Sequence, residues 1–250
     1  MKVQGKHYRS IWFDHDTGKV NIIDQRWLPH EFKIVQLESL SQFETAIRDM
    51  WVRGAPLIGA TAAYGMAVSL ASDASDKGLS HAYETLMQTR PTAVNLRLAL
   101  EKFRDLLRNV APSERAMKAM AMAHEVAEED VSINKKIGEH GLEIIRKIYA
   151  NKPKAEPVNI LTHCNAGWPA TVDWGTATSP MYHAFEENIP IHIWVDETRP
   201  RKQGAMTAWE LESHGIDCTY LTANSGGHLM QPKMVDLPLV APARTTSRGA

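Results

Sequence analysis

The chain has 250 residues, 44% of them apolar and 23% charged, an ordinary composition that allows one large domain or two smaller ones. Its 28 Lys and Arg against 29 Asp and Glu leave a net charge of -1, with no long basic tract. Nucleic acid and anionic membrane surfaces are therefore not expected partners.

Two cysteines, Cys164 and Cys218, cannot make a disulfide framework, and they lack the ligand spacing of a zinc site. The opening MKVQGKHYRSIWFD has no apolar core of signal-peptide length, and no run approaches membrane-spanning length. A reducing compartment is expected, most simply the cytoplasm.

In chain order, residues 8 to 28 read as short strands around the turn HDTGK. Residues 41 to 72 read as helical, with Ser41 and Glu44 as a capping box and Phe43, Ile47 and Met50 on one face. RGAPLIG interrupts that helix at Gly54 and Pro56, and the small-residue run ATAAYGMAVSLA suits a tightly buried continuation. TRPTAVNL precedes a helix through Leu107. A further helical region runs from about Pro112 to Tyr149, with Gly138 and Gly141 weakening its continuity.

After NKPKAEP the pattern changes. VNILTH, IHIWVD, CTYLTA and MVDLPLV read as strands. ATSPMYHAFEENI, QGAMTAWELESHG and GGHLMQ read as the helices between them, with Gly215 as a C-cap. That alternation predicts an α/β fold: a small strand-plus-helical N-terminal domain over 1–150, then a Rossmann-like parallel sheet over 151–250. No G-x-G-x-x-G follows a strand, which argues against a dinucleotide cofactor.

Ligands of open α/β sheets gather beyond the carboxyl ends of the strands. Three predicted strand ends carry polar residues there: His163-Cys164-Asn165, Asp196-Glu197 and Ala223-Asn224-Ser225. Cys164 is either a packing thiol or a reactive sulfur presented to the cleft. His163 adjoins it, but alternation along a strand puts the two side chains on opposite faces. Arg53 and Arg90 interrupt apolar surroundings, as phosphate ligands or as surface ion pairs, and the backbone at Gly54 and Ala55 can approach a ligand closely. The loop DETRPRKQGA offers one or two contacts, foremost Gln203, or else a solvated ion-paired loop. His81, His124, His140 and His214 fall in helical or surface-like settings, and the seven tryptophans read as packing groups.

RGAPLIG, RPTAVNL, THCNAG, DETRPR-QGA and NSGGHLM, in this order, resemble the methylthioribose-1-phosphate isomerase family, including relatives acting on 5-deoxyribose 1-phosphate. The family is related in fold to regulatory subunits of a translation initiation factor that promotes guanine-nucleotide exchange. The resemblance runs from about Ser10 to the end and covers the larger, N-terminal part of a typical member. It implies an aldose–ketose isomerase of methionine salvage, a homodimer acting on a sugar phosphate without metal or cofactor. Phosphate and sugar contacts then fall on Arg53, Gly54, Ala55, Arg90 and Gln203, and the reactive cysteine on Cys164. The pattern departs at VAPAR, where Ala243 holds the position of the family's acid, and at Ala223, where a carboxylate is common. The end at Ala250 implies a sheet short of its later strands. Three readings follow: a shortened active enzyme, an inactive form, or a non-catalytic sugar-phosphate- or nucleotide-binding regulator like the initiation-factor subunits.

Overall fold

A computed structural model describes residues 1–198 and 201–240. The chain divides into two compact units. A helical unit comprises Arg9–Val131 with Ala170–Val172, and a sheet unit comprises Met1–Tyr8, Ser132–Pro169 and Asp173–Ala250.

In the helical unit, β3 (Ile11–Asp14), β4 (Lys19–Ile23) and β5 (Ile34–Leu37) form an antiparallel sheet in the order β3-β4-β5. The β3–β4 turn is the one expected at HDTGK. Gly18 takes a positive φ of 68°, and Asp14 Oδ1 accepts the N–H groups of Asp16 and Thr17 at 2.9 and 3.2 Å. Those bonds favour the ionised carboxylate and hold Asp14 below its usual range.

Five helices follow. They are α1 (Leu40–Arg48), α2 (Ala55–Ser72), α3 (Asp76–Met87), α4 (Val94–Leu107) and the first part of α5 (Pro112–Ala150). α2 is buried around most of its circumference because its Ala and Gly residues let neighbours approach. A Cβ added at Gly65 would lie 3.1 Å from Phe43 and Leu86, close enough to crowd them. α2 is long and apolar enough to cross a membrane by length and composition, but 67% of it is buried, as in the core helix of a folded domain. Arg115, 2% exposed, ties three helix ends together. It donates to the carbonyls of Ala74, Leu107 and Val110 and pairs with Asp76 at 2.8 Å.

Two local expectations are corrected here. α1 begins at Leu40 rather than after a Ser41 cap, with Ser39 as the N-cap residue in extended conformation. Gln42 does the reaching back: its Oε1 accepts the Glu38 N–H at 2.7 Å, while Glu44 pairs with Arg48. α5 is continuous through Gly138 and Gly141. These glycines are contact points: Gly138 lies against Ser179 and His183, and Gly141 against the ring of Pro180, with no room for a Cβ.

In the sheet unit, β6 (Val158–His163), β7 (Ile191–Asp196), β8 (Cys218–Leu221) and β9 (Leu237–Pro238) are all parallel. α6 (Ser179–Glu186), α7 (Gln203–His214) and α8 (Ser225–Met230) lie between them in sequence. A two-residue pair, β1 (Lys2–Val3) and β2 (Lys6–His7), makes a separate ribbon. The strand order β8-β7-β6-β9 reads 3-2-1-4, that of a Rossmann-type sheet. β9 is shorter than the seven-residue run MVDLPLV. Pro238 has no N–H to donate, which confines it to an edge, and Asp236 instead accepts the Asn159 N–H through its side chain at 2.7 Å.

Candidate functional site

The topological switch of the sheet falls between β6 and β9, since the chain builds outward from β6 to β8 and then returns to its other side. Crevices of this kind receive ligands at the carboxyl ends of the strands. The residue leaving β6 there is Cys164. It is half-buried and adopts φ +68°, a left-handed conformation that turns the chain sharply off the strand. Its N–H points to the Asp196 carbonyl at 3.4 Å, and its own carbonyl accepts the Thr207 hydroxyl at 2.9 Å. Beside it, His163 Nδ1 lies 2.9 Å from Asp196 Oδ2; Asp196 is 7% exposed.

Gln203 is the first residue of α7, following Lys202 in left-handed conformation. Its Oε1 accepts the Thr198 hydroxyl at 2.8 Å. Glu197 Oε1 accepts the N–H groups of Thr198 and Gly204 at 2.7 and 2.8 Å, placing a carboxylate where the helix dipole favours one. Next to this turn a cavity of about 660 Å³ opens at the ends of β7 and β8, lined by Thr198, Lys202, Tyr220, Leu221 and Asn224 among others. Tyr220 also donates its hydroxyl to Glu197. Arg199 and the expected acid position, Ala243, lie outside the described residues.

In the helical unit, the other expected contacts gather at one end. Gly54 caps α2 with φ +101°, and the Ala170 backbone occupies the space a side chain would need, so only glycine fits. Ala55 opens the helix, and the first-turn N–H groups there are unpaired within the helix, as at every helix start. Arg53, half-buried, donates from Nη2 to the Gln25 carbonyl at 3.2 Å. Gly59 of α2 meets the Asn95 carbonyl of α4 at 3.3 Å from an ideal Cβ. The first turns of α2 and α4 are thus packed together, which brings the chain at Arg53 and at Arg90 to the same end of the unit. Arg90 is half-buried and makes no side-chain ion pair among the described residues.

One polar residue escaped the sequence reading. Glu210, in the middle of α7, is 1% exposed. Its Oε2 accepts the Trp168 N–H and the Tyr182 hydroxyl, each at 2.8 Å. Burial pushes its carboxyl up to about 8, against the opposing pull of those two donors. Its linear setting, TAWEL, gives no sign of that burial, which depends on Trp168 and Tyr182.

Comparison with known proteins adds the relatives. Residues 51–249 match the model of the initiation factor 2 subunit family. A methylthioribose-1-phosphate isomerase of Sinorhizobium medicae (strain WSM419) is 56% identical over 250 residues, which is 100% of this chain and 69% of the relative. Among solved structures, 5-methylthioribose 1-phosphate isomerase from Pyrococcus horikoshii OT3 superposes with a TM-score of 0.85 at 33% identity, covering 98% of this chain and 68% of the other. Subunit delta of translation initiation factor eIF-2B from A. fulgidus gives 0.82 at 36% identity, covering 96% and 69%.

Proposed function

This chain belongs to the methylthioribose-1-phosphate isomerases within the initiation factor 2 subunit family, and we propose that it carries out their reaction with Cys164 as the reactive residue. It is an aldose–ketose isomerase of methionine salvage, converting 5-methylthioribose 1-phosphate to 5-methylthioribulose 1-phosphate. The observation that carries the assignment of residues is the position of Cys164, at the carboxyl end of the first strand beside the switch point of the sheet. The regulatory reading is less supported, because curated isomerases reach 56% identity over the whole chain, whereas the initiation-factor structure, at 36%, stands near the isomerase structure's 33%.

The phosphate sits on the anomeric oxygen and locks the ring, so no free aldehyde exists to enolise. The ring C1–O bond must break with a proton delivered to the ring oxygen, while hydrogen moves from C2 to C1 and the C2 hydroxyl becomes the carbonyl. The guanidinium groups of Arg53 and Arg90, with the first N–H groups of α2 after Gly54 and at Ala55, suit the phosphate dianion. Gln203 suits the sugar hydroxyls. Cys164 takes the C2 proton in an enediol route, or lines the path of a hydride shift. Ala243 has no proton to give, so ring opening draws on the hydrogen-bonded pair His163–Asp196 at the neighbouring strand ends.

Turnover of 5-methylthioribose 1-phosphate tests the chemistry, and in D2O deuterium at C1 of the product marks the enediol route; a hydride shift requires complete carry-over of a C2 deuterium to C1 in H2O. Arg53→Ala and Arg90→Ala should each raise KM about 10- to 100-fold for the phosphorylated sugar. An equal loss of affinity for the dephosphorylated analogue would remove phosphate from their role. A cytoplasmic homodimer completes the proposal, and sedimentation at the monomer mass would remove the dimer.

A further inference from the structure

Gln203, Thr207 and Glu210 stand at positions i, i+4 and i+7 of α7 and share one face of that helix. Two of the three reach the segment that follows β6. Thr207, 1% exposed, donates its hydroxyl to the Cys164 carbonyl at 2.9 Å. Glu210 accepts the Trp168 N–H at 2.8 Å and, through the same oxygen, the Tyr182 hydroxyl of α6. Between these two pins the carbonyl of Ala166 accepts the Ala177 N–H at 2.9 Å. Gly167 lies against the Glu210 carboxyl so closely that any side chain there would overlap it. The loop from Cys164 to Trp168 is therefore held at both ends by one helix face.

The pins answer a specific need. Cys164 has φ +68°, where a residue with a Cβ is sterically disfavoured. Released, it would relax to an ordinary conformation and turn its sulfur elsewhere. Packing alone does not explain Glu210 either. Its Oε1 has no hydrogen-bond partner among the described residues, an arrangement that an apolar side chain would avoid. What the carboxyl supplies is an acceptor for the loop backbone.

We infer that Thr207 and Glu210 are positioning residues of the isomerisation, fixing the Cys164–Trp168 loop so that the thiol faces the sugar held by Gln203 of the same helix. The inference rests on the reading of Cys164 as the reactive residue. It makes α7 the ruler that sets the spacing between sugar contact and sulfur, so a loosened loop affects the chemical step more than capture.

Thr207→Val removes the hydroxyl and keeps the shape. Its kcat should fall about tenfold or more with KM within about twofold, and Thr207→Ser should return kcat to near the parent value. Native-state alkylation of Cys164 by iodoacetamide, followed by mass mapping of the Cys164 peptide, should change in rate at least about threefold in Thr207→Val and not in Thr207→Ser. Glu210→Leu should behave like Thr207→Val, and Glu210→Gln, which keeps an acceptor, like the parent. Parent-like kcat and alkylation in Thr207→Val overturn the inference, as does a loss that Thr207→Ser fails to restore. Parent-like kcat in Glu210→Leu removes Glu210 from it. Full turnover by Cys164→Ala would instead sink the reading of the thiol, while the alkylation comparison still shows whether Thr207 holds the loop.

Discussion

The parallel sheet has an amino edge and a carboxyl edge, and each carries one free thiol. Cys218 opens β8 at the amino edge, with its sulfur 3.9 Å from the Ala208 carbonyl and 3.9 Å from Glu212 Oε1. Burial, reinforced by the carboxylates of Glu212 and Asp217, pushes it up to about 12, so at neutral pH it is a protonated packing group. Cys164 leaves β6 at the carboxyl edge, in a left-handed turn whose backbone is tied to β7 and α7. Both residues are half-buried, so exposure does not separate them. What separates them is the end of the strand each occupies. Strands that all run one way bring their departing loops to one crevice, and the opposite edge is left to packing.

The contrast can be broken most forcefully at Cys164 itself. Cys164→Ala should cut kcat by about a thousandfold while leaving substrate affinity within a few-fold; unchanged turnover would erase the distinction between the edges. Next in size is reactivity. At pH 8, iodoacetamide should modify Cys164 at least about tenfold faster than Cys218, read by peptide mass mapping, and equal rates would count against the assignment.

A smaller effect concerns Glu210 and the loop it holds. Its folded pKa, about 8, lies above the ordinary 4.5, so its contribution to stability is complete below about 4.5 and is lost as pH rises through about 8. Glu210→Gln cannot ionise. Between pH 5 and pH 9 the parent's urea midpoint should drop further than the variant's, by an amount equivalent to a few kcal/mol, and parallel curves would show that the carboxyl is not buried as described. The smallest expected effect is that of Cys218→Ser, with kcat within about twofold of the parent. A large loss there would put function on the wrong edge.

Much of this arrangement is legible in the amino-acid sequence. Apolar runs such as VNILTH and IHIWVD, each closed by polar residues, mark buried parallel strands, and both match β6 and β7. Gly215 caps α7 at φ +94°, as its place after SH suggested. Other features depend on tertiary contacts that a linear reading cannot weigh. Gly138 and Gly141 look like breaks until Pro180 and His183 occupy the space beside them. α3 went unrecognised although Leu79, Ala82 and Leu86 mark its buried face and Ser75 caps it through the Gly78 N–H. Its polar composition masked the period. Cys164 was legible as a strand-end thiol, but its left-handed conformation was not, since that depends on bonds to Thr207 and Asp196 across the fold. Glu210 was hidden for the same reason: a Glu within TAWEL reads as a solvated position until Trp168 and Tyr182 enclose it.

The 3-2-1-4 strand order also bears on how the protein is made. A ribosome releases β6, β7 and β8 before β9, yet β9 docks on the far flank of β6. Among the described strands, the one that flanks β6 on the side of this crevice is thus made after β6, β7 and β8. Nascent chains arrested short of residue 237 should therefore take up a thiol label at Cys164 more readily than released ones.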